Sequence, residues 1–421
     1  MSQSDLQFAG EYRVNDLTLT SPQGTTLFVQ DYMVELNLYE DIFSNFVTGN
    51  FVMSDSRNLI GELPIKGVEK LTLDIYTPTL NKSIKRTFQV YSVANRSFTR
   101  DQNTQVYTLH FCSLEGYING AKNLYKAYDG TPSEIMQKIY NEELKISTEL
   151  KAFDNAKNKV KFVANGRSPY TLINWLANKA EPSVGEACSF LFYETMHNAY
   201  LTTAETLVRN KTEVMQQKFV YAPAGTKEVA DVNTKMFRIE SLEIVKEQDH
   251  IQSQLTGHLN SRFITIDPVK KQYEVKDYDH IDVWYNYTHL DVDPLHYSGL
   301  PRNFDSARKV YPRHPGLFKG AENNISEKIK DIFGNRISNL AELDNFKMNI
   351  VIPGRTNIEA GHCVEIVFPK SGPTDDKDKS GNLKDGMYSG YYLVTAVRHK
   401  INPLNHACVL EVMRDSVGIQ T

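Results

Sequence analysis

Two acidic clusters are the places in this chain where residue types and spacing could do chemistry. Asp376-Lys377-Asp378-Lys379-Ser380-Gly381 opens like a calcium loop, with carboxylates at positions 1 and 3, an oxygen at 5, Gly at 6 and the apolar Leu383 at 8. Position 12, however, is Met387, where a bidentate Glu is needed. Lys377 and Lys379 also oppose a cation, and strand-like rather than helical patterns flank the segment. Residues 375–387 therefore read as a solvated hairpin tip. The second cluster is His280, Asp282, His289, Asp291, Asp293 and His296. Imidazole and carboxylate both ligate metals. No two of these His share a helix face at ligand spacing, and the surrounding prolines imply loops, so a polar, tyrosine-rich surface is the reading preferred.

Nucleophilic chemistry has no local signature. The chain holds no G-x-S-x-G elbow, no phosphate-binding G-x-x-x-x-G-K-[ST] loop and no Cys in a recognised catalytic context. Glu142-Glu143 is a carboxylate pair near a helix end and reads as a solvated face. Cys112, Cys188, Cys363 and Cys408 form no C-x-x-C pair, and three of them sit inside apolar alternation, where Cys packs as a small hydrophobe. No residue is assigned a catalytic, cofactor-binding or metal-binding role, no cofactor is expected, and the chain is not expected to be an enzyme.

The elements that carry these residues are more telling. Leu71 to Tyr76, Phe88 to Val93 and Val106 to Cys112 form three strand-like runs separated by polar tips. Near the other end, Cys363 to Phe368, Tyr392 to Val397 and Ala407 to Met413 repeat them in the same order. Gly67 and Gly361 precede the first run of each set, and Pro78 and Pro369 end it. The repetition predicts one small antiparallel barrel used twice, which would let three subunits build a ring of six. Alternation places Leu71, Leu73, Val90, Leu109, Phe111, Ile350, Ile366, Val394 and Leu410 in barrel cores. Phe88/Tyr392, Val90/Val394 and Val93/Val397 are the equivalent pairs.

Between the repeats the period changes. Thr131-Pro132-Ser133-Glu134 is a helix cap with Pro at the first helical position, and Ser168-Pro169 is a second start. Ser189 to Tyr193 and Ala199 to Thr203 read as a hairpin. Met236 to Lys246 returns to strand. The stretch from about 251 to 325, with five prolines, reads as an insertion of short strands and long loops. Ile329, Ile332, Phe333, Ile337, Leu340 and Leu343 then form a helical stripe leading to the strand Met348 to Gly354. The expected fold is mainly β with an α+β insert. Its domains are a first tube-like β-barrel at 1–115, an α+β domain at 116–215, a second barrel made of 216–250 and 345–421, and an insertion at 251–344 with a terminal helix.

Composition agrees. The 23 Tyr and 20 Phe favour pleated, half-buried surfaces. A net charge of -4 lacks the basic footprint of a nucleic-acid binder. No run of 18 apolar residues exists to span a membrane as a helix, and MSQSDLQFAG is not a secretory leader.

The segment NFKMNIVIPGRTNIEAGHCVEIVFP resembles the late barrel of the central baseplate hub proteins of contractile-tailed bacteriophages, and is similar to the hub portion of the type VI secretion spike protein VgrG. SPYTLINWLANKAEP followed by CSFLFYETMHNAYLTT resembles the helix-plus-hairpin unit after the first barrel of those proteins. The resemblance covers most of the chain through diffuse apolar patterns. It implies a structural hub: a homotrimeric ring adapting a sixfold tail tube to a threefold central spike, with a channel for DNA. The implied partners are a trimeric central spike protein, a tail tube or tube-initiator protein and surrounding baseplate wedge proteins, with no sequence-specific nucleic acid. The implied location is the virion tail baseplate, assembled in the host cytoplasm. Because the sequence stops at Thr421 without a β-repeat needle, a separate spike polypeptide is expected. The alternative is a virion-associated cell-wall hydrolase or glycan-binding module using the aromatic-rich insertion.

Overall fold

The computed structural model describes residues 6–62, 65–80, 82–98, 104–211, 217–221, 231–267, 271–295, 299, 302–312, 330–370 and 384–418. Seven strands fill the first part: β1 (Arg13–Thr20), β2 (Thr26–Phe28), β3 (Met33–Asp41), β4 (Thr48–Asp55), β5 (Lys70–Tyr76), β6 (Ser83–Phe98) and β7 (Gln105–Ser113). The middle carries β8 (Ala127–Gly130), β9 (Leu150–Ala152), β10 (Val160–Val163), β11 (Phe190–Glu194) and β12 (Ala199–Thr203) among helices. Next come β13 (Lys218–Tyr221), β14 (Arg238–Ile239) and β15 (Ser241–Lys246). The insertion holds β16 (Asn260–Asp267), β17 (Gln272–Asp279), β18 (Asp293–Pro294) and β19 (Arg308–Pro312). Then follow β20 (Phe346–Pro353), β21 (Cys363–Val367), β22 (Gly390–Ile401), β23 (His406–Arg414) and β24 (Ser416–Val417). The fold is mainly β with an α+β insert.

Strand pairing follows the same order in both halves. In the first, the neighbours run β1–β5–β6–β7–β4–β3; in the second, β13–β21–β22–β23–β20–β15. Each half also has one segment that reaches round to the far margin: β2 leads into β3 and pairs with β1, and β14 leads into β15 and pairs with β13. Even the irregularities agree. The β6–β7 ladder bulges between Val90 and Ser92, and β22–β23 between Val394 and Ala396. Past those bulges, Val93 faces Leu109 and Val397 faces Leu410. One strand breaks the correspondence. β13 runs parallel to β14 and β21, whereas β1 is antiparallel to β2 and β5.

Two separate closed barrels are not formed among the described residues. The segments that would close them lose strand geometry midway, at the 3-10 turn Gln30–Tyr32 and at Glu240, so neither ladder is continuous. Instead β3 pairs with β22, and the two halves share one 14-stranded sheet. Leu71, Leu73, Val90, Leu109, Phe111, Ile350, Ile366, Val394 and Leu410 are all buried in two apolar clusters, one per half. Period-2 alternation thus assigns the dry face correctly, because a strand with one buried face must alternate.

The middle region has its own core around Met136, Tyr140, Phe162, Ile173, Leu176 and Phe192. Its helix Pro132–Ile139 starts with a capping box: the Thr131 side chain accepts from the Glu134 amide while Glu134 reaches back to the Thr131 amide. The helix Pro169–Ala177 likewise begins at a proline. The β11–β12 hairpin forms as expected, with β9 parallel beside β12. Its side chains serve neighbouring cores: Leu191 and Tyr193 join the cluster of the second half, and Met196 that of the first. The insertion is more regular than expected. β16 and β17 form an eight-residue hairpin, β19 lies parallel beside β16, and Arg262 of β16 pairs with Asp277 and Asp305. Its sequence hid these strands because the outward positions of the exposed sheet mix Val275 and Val310 with Tyr273, Asp277 and Arg308. The helical stripe lies at Asn335–Leu343, preceded by a π-turn at Lys330–Gly334.

Candidate functional site

The junction of the two halves is the feature from which function can be argued. β3 and β22 pair antiparallel from Leu36↔Ile401 to Asp41↔Ala396. Charges cross the seam: Arg398 Nε donates to Asn37 Oδ1 at 2.9 Å, and Arg398 and Lys400 both lie 3.4 Å from Glu35. A hydrogen bond from Asn37, with these cations, holds the Glu35 carboxyl below its usual range against the opposing effect of burial.

Pairing the halves at their shared bulge sets a correspondence across every strand. His110 then matches Glu411, Asn50 matches Asn349 and Asn37 matches Glu243. The counterparts of β3 and β22 are therefore β15 and the later part of β6. Both are free at the surface. Among the described residues β15 pairs with β20 only, and β6 beyond Gln89 pairs with β7 only. These edges expose Ile244, Val245, Tyr91 and Phe98. A single sheet edge of this kind is a template for another strand.

Beneath the junction, buried charges lock the middle region to both halves. Arg86, on β6, donates to the Glu194 carboxylate, to the Thr195 carbonyl and to Thr148 Oγ1 at 2.8 Å, and lies 3.8 Å from Glu115. Glu115 in turn accepts from the amides of Ser147 at 2.9 Å and Thr148 at 3.0 Å. Glu40, on β3, accepts from the amides of Met196 and Ala360. Burial and then the neighbouring Glu359 charge push the Glu40 carboxyl upward. Glu359 meets Lys82, Thr195 Oγ1 and the Tyr200 hydroxyl. Burial opposes its charge, but His197, His362 and Lys82 outweigh that and hold it below its ordinary range. Both carboxylates are shielded from solvent, so this network fixes geometry and presents nothing to a substrate.

Of the residues singled out from sequence, those described are held by separate partners. Asp376 to Gly381 and His296 lie outside the described residues. His280 contacts Glu342. His289 binds Asp415 at 2.9 Å and the Trp284 carbonyl at 2.8 Å, while Asp282 pairs with Arg302 and Asp291 accepts from the Tyr391 amide. Glu142 is solvated as expected, but Glu143 is covered by Lys122 and Lys126. A cleft of about 480 Å³ between the middle region and the insertion is lined by carboxylates, among them Glu181, Asp277 and Asp279. Each of these three is held in an ion pair, with Lys157, Arg262 and Arg302 respectively.

Two groups that could hold a metal were missed. One is His258, His280 and Glu342; the other is His399, His406 and Cys408. The second had a legible signal. H-x-C on a strand puts two ligands on one face, and the short Asn402-Pro403-Leu404-Asn405 tip brings His399 back opposite. Burial lowers the proton affinity of both imidazoles of this second group and pushes the Cys408 thiol up to about 12. All four cysteines are buried and free of disulfides.

No protein-family model matches the chain. It is 20% identical over 409 residues to the probable baseplate hub protein gp334 of Vibrio phage KVP40, covering 92% of this chain and 91% of that protein. The fold is shared with a tail protein from Neisseria meningitidis MC58, at a TM-score of 0.56 and 11% identity over 96% of this chain and 97% of the other. It is shared equally with the 43 kDa tail protein of prophage MuSo2 from Shewanella oneidensis, at a TM-score of 0.55 and 10% identity over 96% and 99%. The chain thus resembles phage baseplate hub and tail proteins along nearly its whole length.

Proposed function

We propose that this chain is a structural, non-enzymatic hub of a phage tail baseplate, acting as a homotrimeric ring. The observation that carries the reading is the duplicated pairing order. Each chain holds one junction, β3 against β22, and leaves free the two edges that correspond to it, β15 and β6. If β15 of one subunit pairs with β6 of the next, three chains supply three internal and three external junctions around a pseudo-sixfold ring. Such a contact is heterologous, with a different patch on each partner, and it closes when the rotation is 120°. Strand addition supplies main-chain hydrogen bonds, and Ile244, Val245, Tyr91 and Phe98 supply apolar contact.

In this reading the domains divide at 1–115, 116–215, 216–250 with 345–421, and 251–344. The six half-sheets face a sixfold tail tube. The middle regions and insertions, present three times, face a threefold spike. DNA passes through the central opening, wedge proteins surround the ring, and the ring assembles in the host cytoplasm.

Val245 gives a selective test. The β15–β20 register skips it, between Ile244↔Met348 and Lys246↔Lys347, so changing it spares that ladder. Light scattering of the wild-type protein is expected to give three chains per particle. Val245→Pro and Val245→Asp are expected to give monomers with an unchanged circular-dichroism spectrum. Trimers that persist in both variants overturn the edge assignment. A wild-type monomer that releases soluble fragments from peptidoglycan overturns the hub reading in favour of a hydrolase.

A further inference from the structure

We propose that His399, His406 and Cys408 form a binding site for a closed-shell d10 metal ion, zinc(II) or copper(I), which staples the hairpin at the junction of the two halves. The three residues lie on β22 and β23, where the register sets His399 opposite Cys408 and Ile401 opposite His406. Alternation puts His406 and Cys408 on one face of β23 and the cross-strand His399 on the same face. Their ligand atoms form a tight triangle. His399 Nδ1 is 3.1 Å from His406 Nε2, and Cys408 Sγ is 3.4 Å and 3.5 Å from those two nitrogens.

These spacings are those of a coordination sphere. An ion with bonds of ~2.0 Å to nitrogen and ~2.3 Å to sulfur spaces tetrahedral ligands about 3.3 Å (N to N) and about 3.5 Å (N to S) apart. An ion at the centre of this triangle would sit close to its plane, and the Arg355 carbonyl lies 3.7 Å from Sγ. The ligand set, two imidazoles and one thiolate, suits the borderline and soft cations and excludes calcium and magnesium, which take oxygen.

The surroundings hold the sulfur and the rings in place. The Arg355 amide donates to Cys408 Sγ at 3.4 Å, and the Arg355 side chain is itself buried. His406 is seated against Gly354, where a Cβ would lie 2.1 Å from the imidazole Cγ. Its amide donates to the Gly10 carbonyl, and its own carbonyl accepts from Gly354. The outer nitrogens, His399 Nε2 and His406 Nδ1, have no hydrogen-bond partner. Without an ion, two imidazoles and a thiol converge in a dry pocket with one shared proton between the rings and little else to compensate their burial. With an ion, all three converging atoms are satisfied. The consequence is structural: His399 lies opposite Leu38 of β3, so the ion would fix the strand through which the halves pair.

The test uses the full chain purified without a histidine tag. Elemental analysis by plasma mass spectrometry is expected to find about one zinc or copper per chain. Removal by a strong chelator should lower the melting temperature, and readdition of zinc(II), or of copper(I) under reducing conditions, should restore it; the ion that restores it identifies the natural occupant. Cobalt(II) in the emptied protein should show a sulfur-to-cobalt charge-transfer band. Cys408→Ala is a mild change in a buried site, and should abolish that band and weaken binding on the order of 100-fold or more. If this variant does not fold, His399→Gln provides the same readout. The proposal is overturned if the wild-type protein carries only trace metal and neither ion shifts its melting temperature. It is also overturned if binding survives Cys408→Ala but is lost in Glu342→Gln, which would assign the ion to His258, His280 and Glu342.

Discussion

Replacing Arg86 by Met should uncouple the middle region from the first half of the sheet. The guanidinium is nearly dry, with 5% of its side chain exposed, and it faces two carboxylates, Glu194 and Glu115, that have no exposed side-chain surface. Methionine fills much of the volume but leaves both acids without their cation. Breaking a buried pair in this way costs about 3–5 kcal/mol, because the remaining charge must be neutralised or hydrated. The two acids are not equally stranded. Glu115 keeps its bonds from the amides of Ser147 and Thr148, while Glu194 keeps only the Val47 amide at 3.1 Å. Most of the loss should therefore come from Glu194, and Arg86→Met with Glu194→Gln should be less destabilised than Arg86→Met alone. Denaturant unfolding gives the global figure for the cycle. Hydrogen exchange at Ser147, Thr148 and Val47 gives the local one, and should accelerate in the single variant and partly recover in the double. A single variant within about 1 kcal/mol of wild type, with unchanged exchange at those amides, would show that the ion cluster is not what locks the domains.

Leu109→Ala and Leu410→Ala occupy matching places in the two halves, both fully buried; each should cost about 2–5 kcal/mol in denaturant unfolding, and two neutral results would refute the assignment of the dry face. His289 offers both ring nitrogens to acceptors, Asp415 and the Trp284 carbonyl; burial opposes its charge, but Asp415 raises its proton affinity above the usual value of 6.5. Its contribution should be complete below pH ~6.5 and fade as the pH rises through the higher folded-state value, so a His289→Gln melting curve should approach wild type in alkali; an imidazole signal titrating below pH 6.5 in the folded protein would falsify this. Gly354→Ala should destabilise by about 1–3 kcal/mol, since its methyl would enter the His406 ring, and a neutral result would mean that the ring is free to move.

How much could be read beforehand depended on whether one face of an element is dry. β5, β6, β7, β21, β22 and β23 each bury one side against a core, so alternation marked them, and Val90/Val394 and Val93/Val397 proved to hold matching ladder positions. The Thr131 cap was legible because its chemistry is local. The 16–17–19 sheet of the insertion was not, because its outward residues, Tyr273, Val275 and Val310 among them, are exposed and set no pattern against polar neighbours. The pairing of β3 with β22 was also invisible. It is a contact between residues more than 350 positions apart, made through main-chain bonds that any side chain permits. The buried ion network was hidden for a related reason: Arg86, Glu115 and Glu194 look like surface residues until the fold brings three distant segments together.

The way the repeats differ bears on the proposed ring as much as the way they agree. Two copies with identical edges would join to themselves and to neighbours alike, giving open filaments or rings of variable number. Here the first half offers β3 and the second offers β22 to a junction already satisfied within the chain, so of these four corresponding edges β15 and β6 remain free among the described residues. The seam inside the chain carries Glu35 against Arg398 and Lys400, whereas the matching position on β15 is Ser241, followed by the exposed apolar pair Ile244 and Val245. The internal seam is thus charge-matched and permanent, and the external edges are more apolar. Reversal of β13 relative to β1 further distinguishes the halves at the margin farthest from the seam. A duplicated sheet with one satisfied junction and one unlike pair of free edges can repeat its own geometry only by alternating internal and external contacts. In the proposed ring, that alternation would make six half-sheets threefold in their chemistry while near sixfold in their backbone, which is the property an adaptor between a sixfold tube and a threefold spike requires.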